Sequence, residues 1–311
     1  MRKRSITNVA ASVRQRLLNL ARERREDFGL ILSQYAIERL LYRLGRSPHA
    51  EQFVVKGAQL FSLWFDTPHR ATRDLDLLCE GPAAVPRVEA LFRALCEQRP
   101  DAPDGIDFVT ESVRAEATRG QGAFEGVRMR IEYHLASARG RVQVDVGFGD
   151  AVAPPPEAVD FPSLLDLPAP RVRAYARETV VAEKLEAMVI LGMRNSRMKD
   201  FYDLWMLARQ SAFDGLTLCQ AIQATFGRRR TPLPTSVPSA LSPEFYEDRI
   251  KQTQWAAFLR KGRLRDAERD LAIVVTELRE FLLPPMRTIG SGQPFPMVWS
   301  YAHGWQHAPN G

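Results

Sequence analysis

The chain has 311 residues, of which 45% are hydrophobic and 26% are charged. This length and composition are ordinary for a soluble globular protein with two domains, or with one domain and a sizeable extension. The net charge of +6 and the isoelectric point of about 9.4 favour a polyanionic partner such as nucleic acid or a nucleotide. Many proteins of this size carry such a charge without one, so the charge alone leaves both interpretations open.

The sequence argues against three further classes of protein. Its three cysteines, Cys79, Cys96 and Cys219, lie far apart without a CxxC spacing, which argues against a zinc site or a disulfide framework and favours a reducing cytoplasm. The basic first residues are not followed by an apolar stretch, so no signal peptide is expected. No run of about 18 apolar residues occurs, so no membrane span is expected and the predicted location is cytoplasmic.

The first half of the chain is predicted as N-terminal helices followed by an α+β core. Residues 1–48 carry apolar residues at spacings of three and four, the period of an amphipathic helix, and Gly45 ends the pattern. Residues 49–152 then hold a strand before Gly57, the strand "RDLDLLCEG", an amphipathic helix, and three strands in "DGIDFVTESVRAE", "EGVRMRIEYHLA" and "GRVQVDVGFGDA". These elements predict an α+β fold with a mixed sheet.

The second half of the chain is predicted to be helical. Residues 153–170 are rich in proline and are interpreted as a linker or an extended wrap across the surface. A helical domain follows at 171–285, with Ser196 as the expected N-cap of the helix in "SRMKDFYDLWMLARQ". Residues 286–311 form a tail rich in Gly, Pro and Trp, for which the pattern predicts no structure.

Two aspartates separated by one residue, Asp74 and Asp76, lie in the predicted strand "RDLDLL". Alternate residues of a strand point to the same face, so the two carboxylates are expected side by side while Leu75 packs into the core. Two close carboxylates repel unless a cation lies between them, and Mg²⁺ is the usual cation for such hard oxygen ligands. Asp145, in "VQVDVGF", would add a third carboxylate if its strand is adjacent, an arrangement that suits two-metal nucleotidyl transfer.

The residues alone leave other interpretations of these aspartates open. An Asp-x-Asp pair on an exposed strand is common and often has no function. Asp145 could face solvent, and Asp150 could be the relevant acid instead. The metal site is therefore a hypothesis that depends on how the strands pair.

Residues close to the aspartates in sequence could bind phosphate. Gly57, at a junction of strand and helix in "VVKGAQL", would let the backbone approach a phosphate, or could simply form a tight turn. Lys56 could contact phosphate or a surface carboxylate. Arg73 could steer a polyanion towards the aspartates, although balancing the charge of Asp74 is the role that the sequence favours for it.

Further candidates lie in the helical half of the chain. Lys184 falls in an apolar stripe of its helix, where a lysine either extends its amino group to solvent or meets an anion such as a triphosphate. Asp200 and Asp203, three residues apart in "RMKDFYD", share one helical face. Asp200 could be a structural charge in the first turn of its helix, or it could orient Lys184 or the attacking group.

As an ordered set, these motifs resemble those of the AbiEii-type nucleotidyltransferases, the toxins of AbiE and MenT toxin–antitoxin systems. The likeness rests on "FVVKGAQLFSLWF…HRATRDLDLL", "VQVDVGFGD", "ETVVAEKLEAMV" and "NSRMKDFYDLW", and it extends from about Asn19 to Leu283. It implies a core like that of DNA polymerase β with an added helical domain, and the use of Mg²⁺ and a nucleoside triphosphate. It also implies a toxin that transfers nucleotides to RNA, at the 3′ end of tRNA in MenT relatives.

Translation would then stop, and in phage-defence versions of the system the result is abortive infection. The partner that the resemblance implies is a neighbouring AbiEi-type antitoxin with a winged-helix region. Six residues of this chain match functional motifs of the family. They are Gly57 in the first glycine motif, Asp74 and Asp76 in the metal-binding pair, Asp145 as the third strand carboxylate, Lys184 in the lysine motif and Asp200 in the later "KD" motif. One departure is Ala58, where the superfamily often has serine; the missing hydroxyl removes one phosphate contact and leaves the backbone amides.

Residues and resemblance together predict a Mg²⁺-dependent nucleotidyltransferase. Asp74 and Asp76 would hold both metals, and Asp145 would hold the metal that activates the attacking hydroxyl and would accept its proton. Lys184 would bind the triphosphate and stabilise the leaving pyrophosphate. Two alternatives stay open: a non-catalytic RNA- or protein-binding module that kept the fold, and a metal-dependent phosphohydrolase that labels no acceptor.

Overall fold

The computed structural model describes residues 8–65, 70–119, 125–264 and 266–307. Contacts between residues divide the chain into two compact units. The first unit consists of Met1–Gly149 and Glu157–Tyr175, and the second consists of Asp150–Pro156 and Ala176–Gly311. The α+β prediction is confirmed, because the first unit is built on a mixed sheet and the second is mainly helical.

The first unit contains four helices and eight strands within its described residues. Its helices are α1 (Val9–Arg24), α2 (Phe28–Gly45), α3 (Phe61–Trp64) and α4 (Val85–Glu97). Its strands are β1 (Phe53–Lys56), β2 (Asp74–Cys79), β3 (Ile106–Phe108), β4 (Arg114–Arg119), β5 (Glu125–Leu135), β6 (Ala138–Phe148), β7 (Glu157–Asp160) and β8 (Arg171–Ala174). The first two helices begin where the side chains of Asn8 and Asp27 accept hydrogen bonds from backbone N–H groups of the first turn.

The strands of the first unit form one mixed sheet in the order β3-β5-β6-β2-β1-β8-β7, and β4 also pairs with β5. The pairs β2–β6 and β1–β8 are parallel. The other pairs are antiparallel. The strand that carries Asp74 and Asp76 therefore lies beside the strand that carries Asp145, near the middle of the sheet.

Alternation along the strands gives the sheet one covered face and one polar face. In β6 the side chains of Val144 and Val146 are buried, whereas those of Gln143 and Asp145 are partly exposed. Helices α2 and α4 pack against the sheet. Burial of apolar area under these helices stabilises the unit by roughly 25 cal/mol per Å², and the polar face is left to carry the candidate site.

The second unit contains six helices and a small antiparallel sheet within its described residues. Its helices are α5 (Arg177–Leu191), α6 (Met198–Gln210), α7 (Gly215–Arg229), α8 (Pro243–Glu247), α9 (Arg249–Gly262) and α10 (Leu271–Ser291). Its strands are β9 (Phe213–Asp214), β10 (Met297–Ser300) and β11 (Gly304–His307), in the order β11-β10-β9. Across both units, none of the described helices has the length and apolar character that a membrane span requires.

Two predicted elements are corrected by the structure. The single strand expected in "DGIDFVTESVRAE" is divided into β3 and β4, because Thr110–Ser112 form a short 3₁₀ turn between them. The expected N-cap of α6 is wrong, because Arg197 and not Ser196 precedes the helix, and no side chain caps it. Asp200 nevertheless lies in the first turn of α6, as expected.

The segment predicted as a proline-rich linker or extended wrap, and the start of the segment predicted as a tail, are partly regular. The proline-rich segment contributes residues 157–160 as β7, which pairs with β8 at the edge of the sheet. Helix α10 continues through Pro284 and Pro285 to Ser291. Proline normally interrupts a helix because it lacks an N–H group, but Met286 and Ile289 beyond the prolines are buried, so packing favours continuation. The ends of the predicted terminal regions, 1–7 and 308–311, lie outside the described residues.

Candidate active site

One row of charged residues crosses five strands on the polar face of the sheet. The register pairs Lys56 of β1 with Asp76 of β2, Asp76 with Asp145 of β6, Asp145 with Arg128 of β5, and Arg128 with Glu116 of β4. Neighbouring strands lie about 4.8 Å apart, so Asp76 and Asp145 are neighbours with a basic residue on either side of the pair. The adjacency of the two strands, on which the metal hypothesis depended, is confirmed.

Asp74 lies one row away, opposite Gln143 of β6. Its side chain is exposed and that of Asp76 is partly exposed, whereas Leu75 and Leu77 are fully buried. Both aspartates are therefore on the polar face, because side chains two residues apart in a strand point the same way. The sequence predicted this alternation.

Arg128 holds both oxygens of the Asp145 carboxylate. Its Nε lies 2.7 Å from Oδ1 and its Nη2 lies 3.1 Å from Oδ2. Gln143 adds a hydrogen bond from Nε2 to Oδ2 at 3.2 Å. The hydrogen bonds to Asp145 raise the pKa of the Arg128 guanidinium against the opposing effect of burial, and the charge of Asp74 adds to the increase. A forked pair of this kind fixes the orientation of the carboxylate as well as its charge balance.

The turn after β1 approaches Asp76 so closely that only glycine fits. Gly57 has φ of +74°, and a Cβ on it would lie 2.1 Å from Oδ2 of Asp76. The left-handed backbone and the lack of space both require glycine. Gln59 donates from Nε2 to the backbone oxygen of Asp74 at 3.2 Å. The turn that contains Gly57 and Ala58 is thereby attached to the strand of the two aspartates.

Lys56 and Arg73, the two basic residues expected near phosphate, differ in their surroundings. Lys56 lies opposite Asp76, and its Nζ is 5.6 Å from the ring centre of Tyr175. Arg73 is exposed, and its Nη2 lies 3.2 Å from Oδ1 of Asp27. An exposed ion pair of this kind contributes little to stability. The sequence favoured Asp74 as the partner of Arg73, and the structure shows Asp27 in contact with it.

The aspartates on the polar face fit a hard divalent cation by chemistry and by register. Carboxylate oxygens are the ligands that Mg²⁺ prefers, and Asp76 and Asp145 are direct neighbours across β2 and β6. Among the described residues, no group of three or more His, Cys, Asp or Glu side chains is arranged to hold a metal ion. Since Arg128 and Gln143 engage both oxygens of Asp145, a cation at Asp74 and Asp76 would share Asp145 with Arg128.

A second charged cluster, the Lys184 cluster, lies in the helical unit. Nζ of Lys184, on α5, is 2.7 Å from Oδ1 of Asp200 and 2.8 Å from Oδ2 of Asp203, both on α6. Arg197 places Nε 2.6 Å from Oδ2 of Asp200. Both carboxylates are fully buried, and the lysine side chain is 12% exposed. The contact that the sequence suggested between Asp200 and Lys184 is present, and Asp203 is a second partner.

The charges of the Lys184 cluster stabilise one another in the interior. Burial alone would lower the pKa of Lys184, but the carboxylates of Asp200 and Asp203 outweigh burial and raise it. Burial would likewise raise the pKa of Asp200, but Lys184 and Arg197 outweigh burial and lower it. Lys184 and Asp200 are therefore both charged at neutral pH.

Asp150, the alternative acid, belongs to the second unit, where it contacts Arg229. Its Oδ1 lies 3.1 Å from Nη2 of Arg229. The same guanidinium lies 2.8 Å from Glu186 and 3.5 Å from Glu183. Arg229 thus connects α7 with α5 through two glutamates, and Asp150 completes that network.

The sequence did not identify Arg128 and Gln143 as candidate site residues. Strands β5 and β6 form a hairpin in which Leu135 pairs with Ala138, and this register places Arg128 opposite Asp145. The turn between them contains Ala136 at φ of +52°. Such turns usually contain glycine or asparagine, so the turn was not recognised and the register could not be derived.

Comparison with protein families gives one match that spans most of the chain. A family model described as nucleotidyl transferase AbiEii toxin, type IV toxin–antitoxin system, matches residues 39–276. This range contains the carboxylates on the sheet, the turn at Gly57 and the Lys184 cluster. A search of curated proteins finds no match.

Two solved structures from Helicobacter pylori are similar to the chain. One is JHP933, with 14% sequence identity over 82% of this chain and 88% of that chain, and a TM-score of 0.43. The other is provisionally described as a nucleotidyltransferase, with 14% identity over 82% of this chain and 91% of that chain, and a TM-score of 0.42. Similarity at this level supports no inference about the site.

Proposed function

Since the chain belongs to the AbiEii nucleotidyltransferase toxin family, we propose that it transfers nucleotides from a nucleoside triphosphate to RNA, with the 3′ end of tRNA as acceptor. The observation that supports this proposal is the pairing of Asp76 with Asp145 on adjacent parallel strands, beside a turn where Gly57 has no room for a side chain. Addition of nucleotides at that end of tRNA would stop translation in the cytoplasm. The stop in translation would make the protein toxic and, in a phage-defence system, would cause abortive infection. An AbiEi-type antitoxin would oppose it.

Mg²⁺ is the proposed cofactor, with Asp74 and Asp76 as its ligands and Asp145 as a shared ligand. When bound, Mg²⁺ supplies neutralisation of charge on the triphosphate and activation of the acceptor hydroxyl. Lys56 and the turn at Gly57 and Ala58 would bind the triphosphate from the side of β1. Arg73, exposed before β2, would attract the polyanionic substrates.

Asp145 would accept the proton of the acceptor hydroxyl at one of its Oδ atoms. The hydroxyl oxygen would form a bond to the α-phosphorus while the bond to pyrophosphate breaks, so that pyrophosphate leaves with the bonding electrons. Arg128 would act as a positioning residue, because its two hydrogen bonds hold the Asp145 carboxylate in one orientation. Correct orientation of this kind lowers the barrier by avoiding reorganisation during the reaction.

Lys184 and Asp200 enter the proposal through the family likeness. Lys184 would bind the triphosphate and stabilise charge on the leaving pyrophosphate. Asp200 and Asp203 would hold its amino group in place, a role that the contacts of 2.7 and 2.8 Å support.

The proposal is tested by incubating the protein with Mg²⁺, total tRNA and each of four labelled nucleoside triphosphates. We compare the wild type with Asp76→Ala and with Asp160→Ala, which removes an exposed carboxylate from the distant strand β7 of the same sheet. We expect label in tRNA with the wild type and Asp160→Ala. The Asp76→Ala rate should fall about 10³-fold, because a lost metal ligand costs several kcal/mol and about 1.36 kcal/mol is tenfold.

Each other outcome would contradict a part of the proposal. Equal labelling by Asp76→Ala would disprove the assigned site. Release of phosphate or pyrophosphate without a labelled acceptor would favour the phosphohydrolase. Binding of RNA without any turnover would favour the non-catalytic module.

A further inference from the structure

The polar face of the sheet continues beyond the carboxylates as a basic surface. Strand residues two apart share a face, so the register places the following residues on the same face as Asp145: Arg139 and Arg141 on β6, Arg130 on β5 and Arg114 on β4. We refer to these four residues as the arginine face. The burial of Val142 and Ile131, which alternate with them, confirms that the arginines point away from the core.

The arginine face begins directly beside the proposed catalytic carboxylates. Arg130 and Arg114 belong to the row that contains Asp74, next to the row of Asp76 and Asp145. Arg141 and Arg139 lie four and six residues before Asp145 on β6, which corresponds to about 13 and 20 Å along the strand. A polyanion that lies along β6 would therefore contact Arg139 and Arg141 before it reaches Gln143 and Asp145.

Glutamates on this face compensate the arginines only weakly. Arg130 lies 2.8 Å from Glu116, and Arg141 lies 3.1 Å from Glu132. These side chains are 40% to 58% exposed, and exposed ion pairs contribute about 0–1 kcal/mol. A phosphate can therefore replace a glutamate at low cost. Arg139 is exposed and makes no ion pair with any described residue.

We propose that the arginine face binds the phosphate backbone of the RNA acceptor and directs its 3′ end to Asp145. This inference rests on the proposed function, because it names the path of the acceptor into the same site. Arginines two residues apart on a strand are about 6.6 Å apart, a separation comparable to that of successive phosphates in an extended single strand. Guanidinium groups bind phosphate with two parallel hydrogen bonds, and such contacts position a nucleic acid without reading its sequence.

The test measures RNA binding separately from catalysis. Labelled tRNA is titrated, without nucleoside triphosphate, into the Asp76→Ala protein, and binding is followed by fluorescence anisotropy at several salt concentrations. The test variant adds Arg139→Glu and Arg141→Glu. The control variant adds Arg46→Glu and Arg99→Glu in the same unit. Arg46 has an exposed ion pair with Asp101, as Arg141 has with Glu132, and Arg99 is exposed without an ion pair among the described residues, as Arg139 is.

We expect the test variant to bind tRNA at least tenfold more weakly and the control to stay within twofold of the parent. The slope of log K against log salt should decrease by about 1.4 in the test variant, because each phosphate contact on a single strand contributes about 0.7. If the charge-reversed protein does not fold by circular dichroism, Arg139→Gln and Arg141→Gln replace it, with a decrease of about 1.4 in the slope still expected.

Two results would overturn the proposal. Equal weakening by both variants would show that only net charge matters. Unchanged binding in both would show that RNA binds elsewhere and would leave the arginine face to a protein partner. Failure of the proposed function is distinguishable from either: the wild type would then label no RNA, while binding of RNA would still depend on Arg139 and Arg141.

Discussion

The carboxylates on the sheet and the Lys184 cluster both combine acidic and basic side chains, but they differ in their access to solvent. The side chains of Asp145 and Arg128 are 28% and 37% exposed, whereas those of Asp200 and Asp203 are fully buried. Charges near solvent can exchange one partner for another at small cost, because water screens them. Buried charges depend on their partners, since an uncompensated charge in the interior is strongly unfavourable.

The region that matches the family therefore contains two kinds of charged residue, those on the sheet near solvent and those buried in the Lys184 cluster. Substitutions on the sheet should change the reaction more than the stability of the fold. Substitutions in the Lys184 cluster should change stability first, whatever they also do to the reaction. Three variants test this distinction, beginning with the largest expected change in the free energy of unfolding.

Lys184→Met should give the largest loss of stability. The substitution leaves Asp200 and Asp203 buried without their shared cation, and breaking a buried pair costs about 3–5 kcal/mol. Urea unfolding followed by tryptophan fluorescence measures the loss, because four of the five tryptophans lie in the second unit. The matched control is Lys56→Met in the partly exposed row on the sheet, for which we expect a change of about 1 kcal/mol or less. A loss of similar size in both variants would remove the distinction between the clusters.

The pH dependence of the same variant provides a second measurement. In the wild type, the pKa of Asp200 is lowered from 3.8, so its contribution is complete above pH 3.8 and is lost as pH falls through the folded-state value. The pKa of Lys184 is raised from 10.5, so its contribution is complete below pH 10.5 and is lost as pH rises further. In Lys184→Met the buried carboxylates should bind protons more readily. The loss in free energy of unfolding relative to the wild type should therefore be smaller at pH 5 than at pH 8. A loss that is larger at pH 5 would contradict this expectation.

Gly57→Ala should cost less stability but should remove the activity. The left-handed backbone costs an alanine about 1–2 kcal/mol, and the added Cβ must displace the Asp76 carboxylate. The control is Gly292→Ala, because Gly292 also has positive φ, at +71°, but nothing lies within 4 Å of its Cβ position. We expect a larger loss of stability in Gly57→Ala than in Gly292→Ala, because only the alanine at position 57 meets neighbouring atoms, and loss of nucleotide transfer only in Gly57→Ala. Normal transfer by Gly57→Ala would show that Asp76 does not need its present position.

Arg128→Lys should have the smallest effect on stability, about 1 kcal/mol or less. Lysine keeps the charge but cannot form the forked pair with Asp145, so the turnover rate should fall roughly 10–100-fold while the KM for the nucleoside triphosphate stays unchanged. Arg93→Lys is the control, since Arg93 holds Glu89 with two nitrogens and the two side chains are 34% and 29% exposed. Equal turnover rates in both variants would show that the ion pair of Arg128 with Asp145 has only a structural role.

Local patterns predicted much of the fold and part of the candidate site. Alternation identified β2, and glycine at the end of β1 indicated a turn, because a strand's side-chain period and a glycine's freedom are properties of a few consecutive residues. The hairpin of β5 and β6 was predicted only as two strands, because its turn at Ala136 lacks the usual glycine or asparagine. Continuation of α10 through Pro284 also escaped prediction, because packing on its buried face overrides the local preference.

The sequence by itself determined which charged residues share a face: Asp74 with Asp76 in a strand, and Asp200 with Asp203 in a helix. These relations follow from periods of two and of about 3.6 residues, and they hold wherever the element lies. Only the tertiary structure decided the partner of each charge, such as Arg128 for Asp145 and both aspartates of α6 for Lys184. Strand register and helix packing bring together residues that are distant in the chain, and no local period encodes that distance.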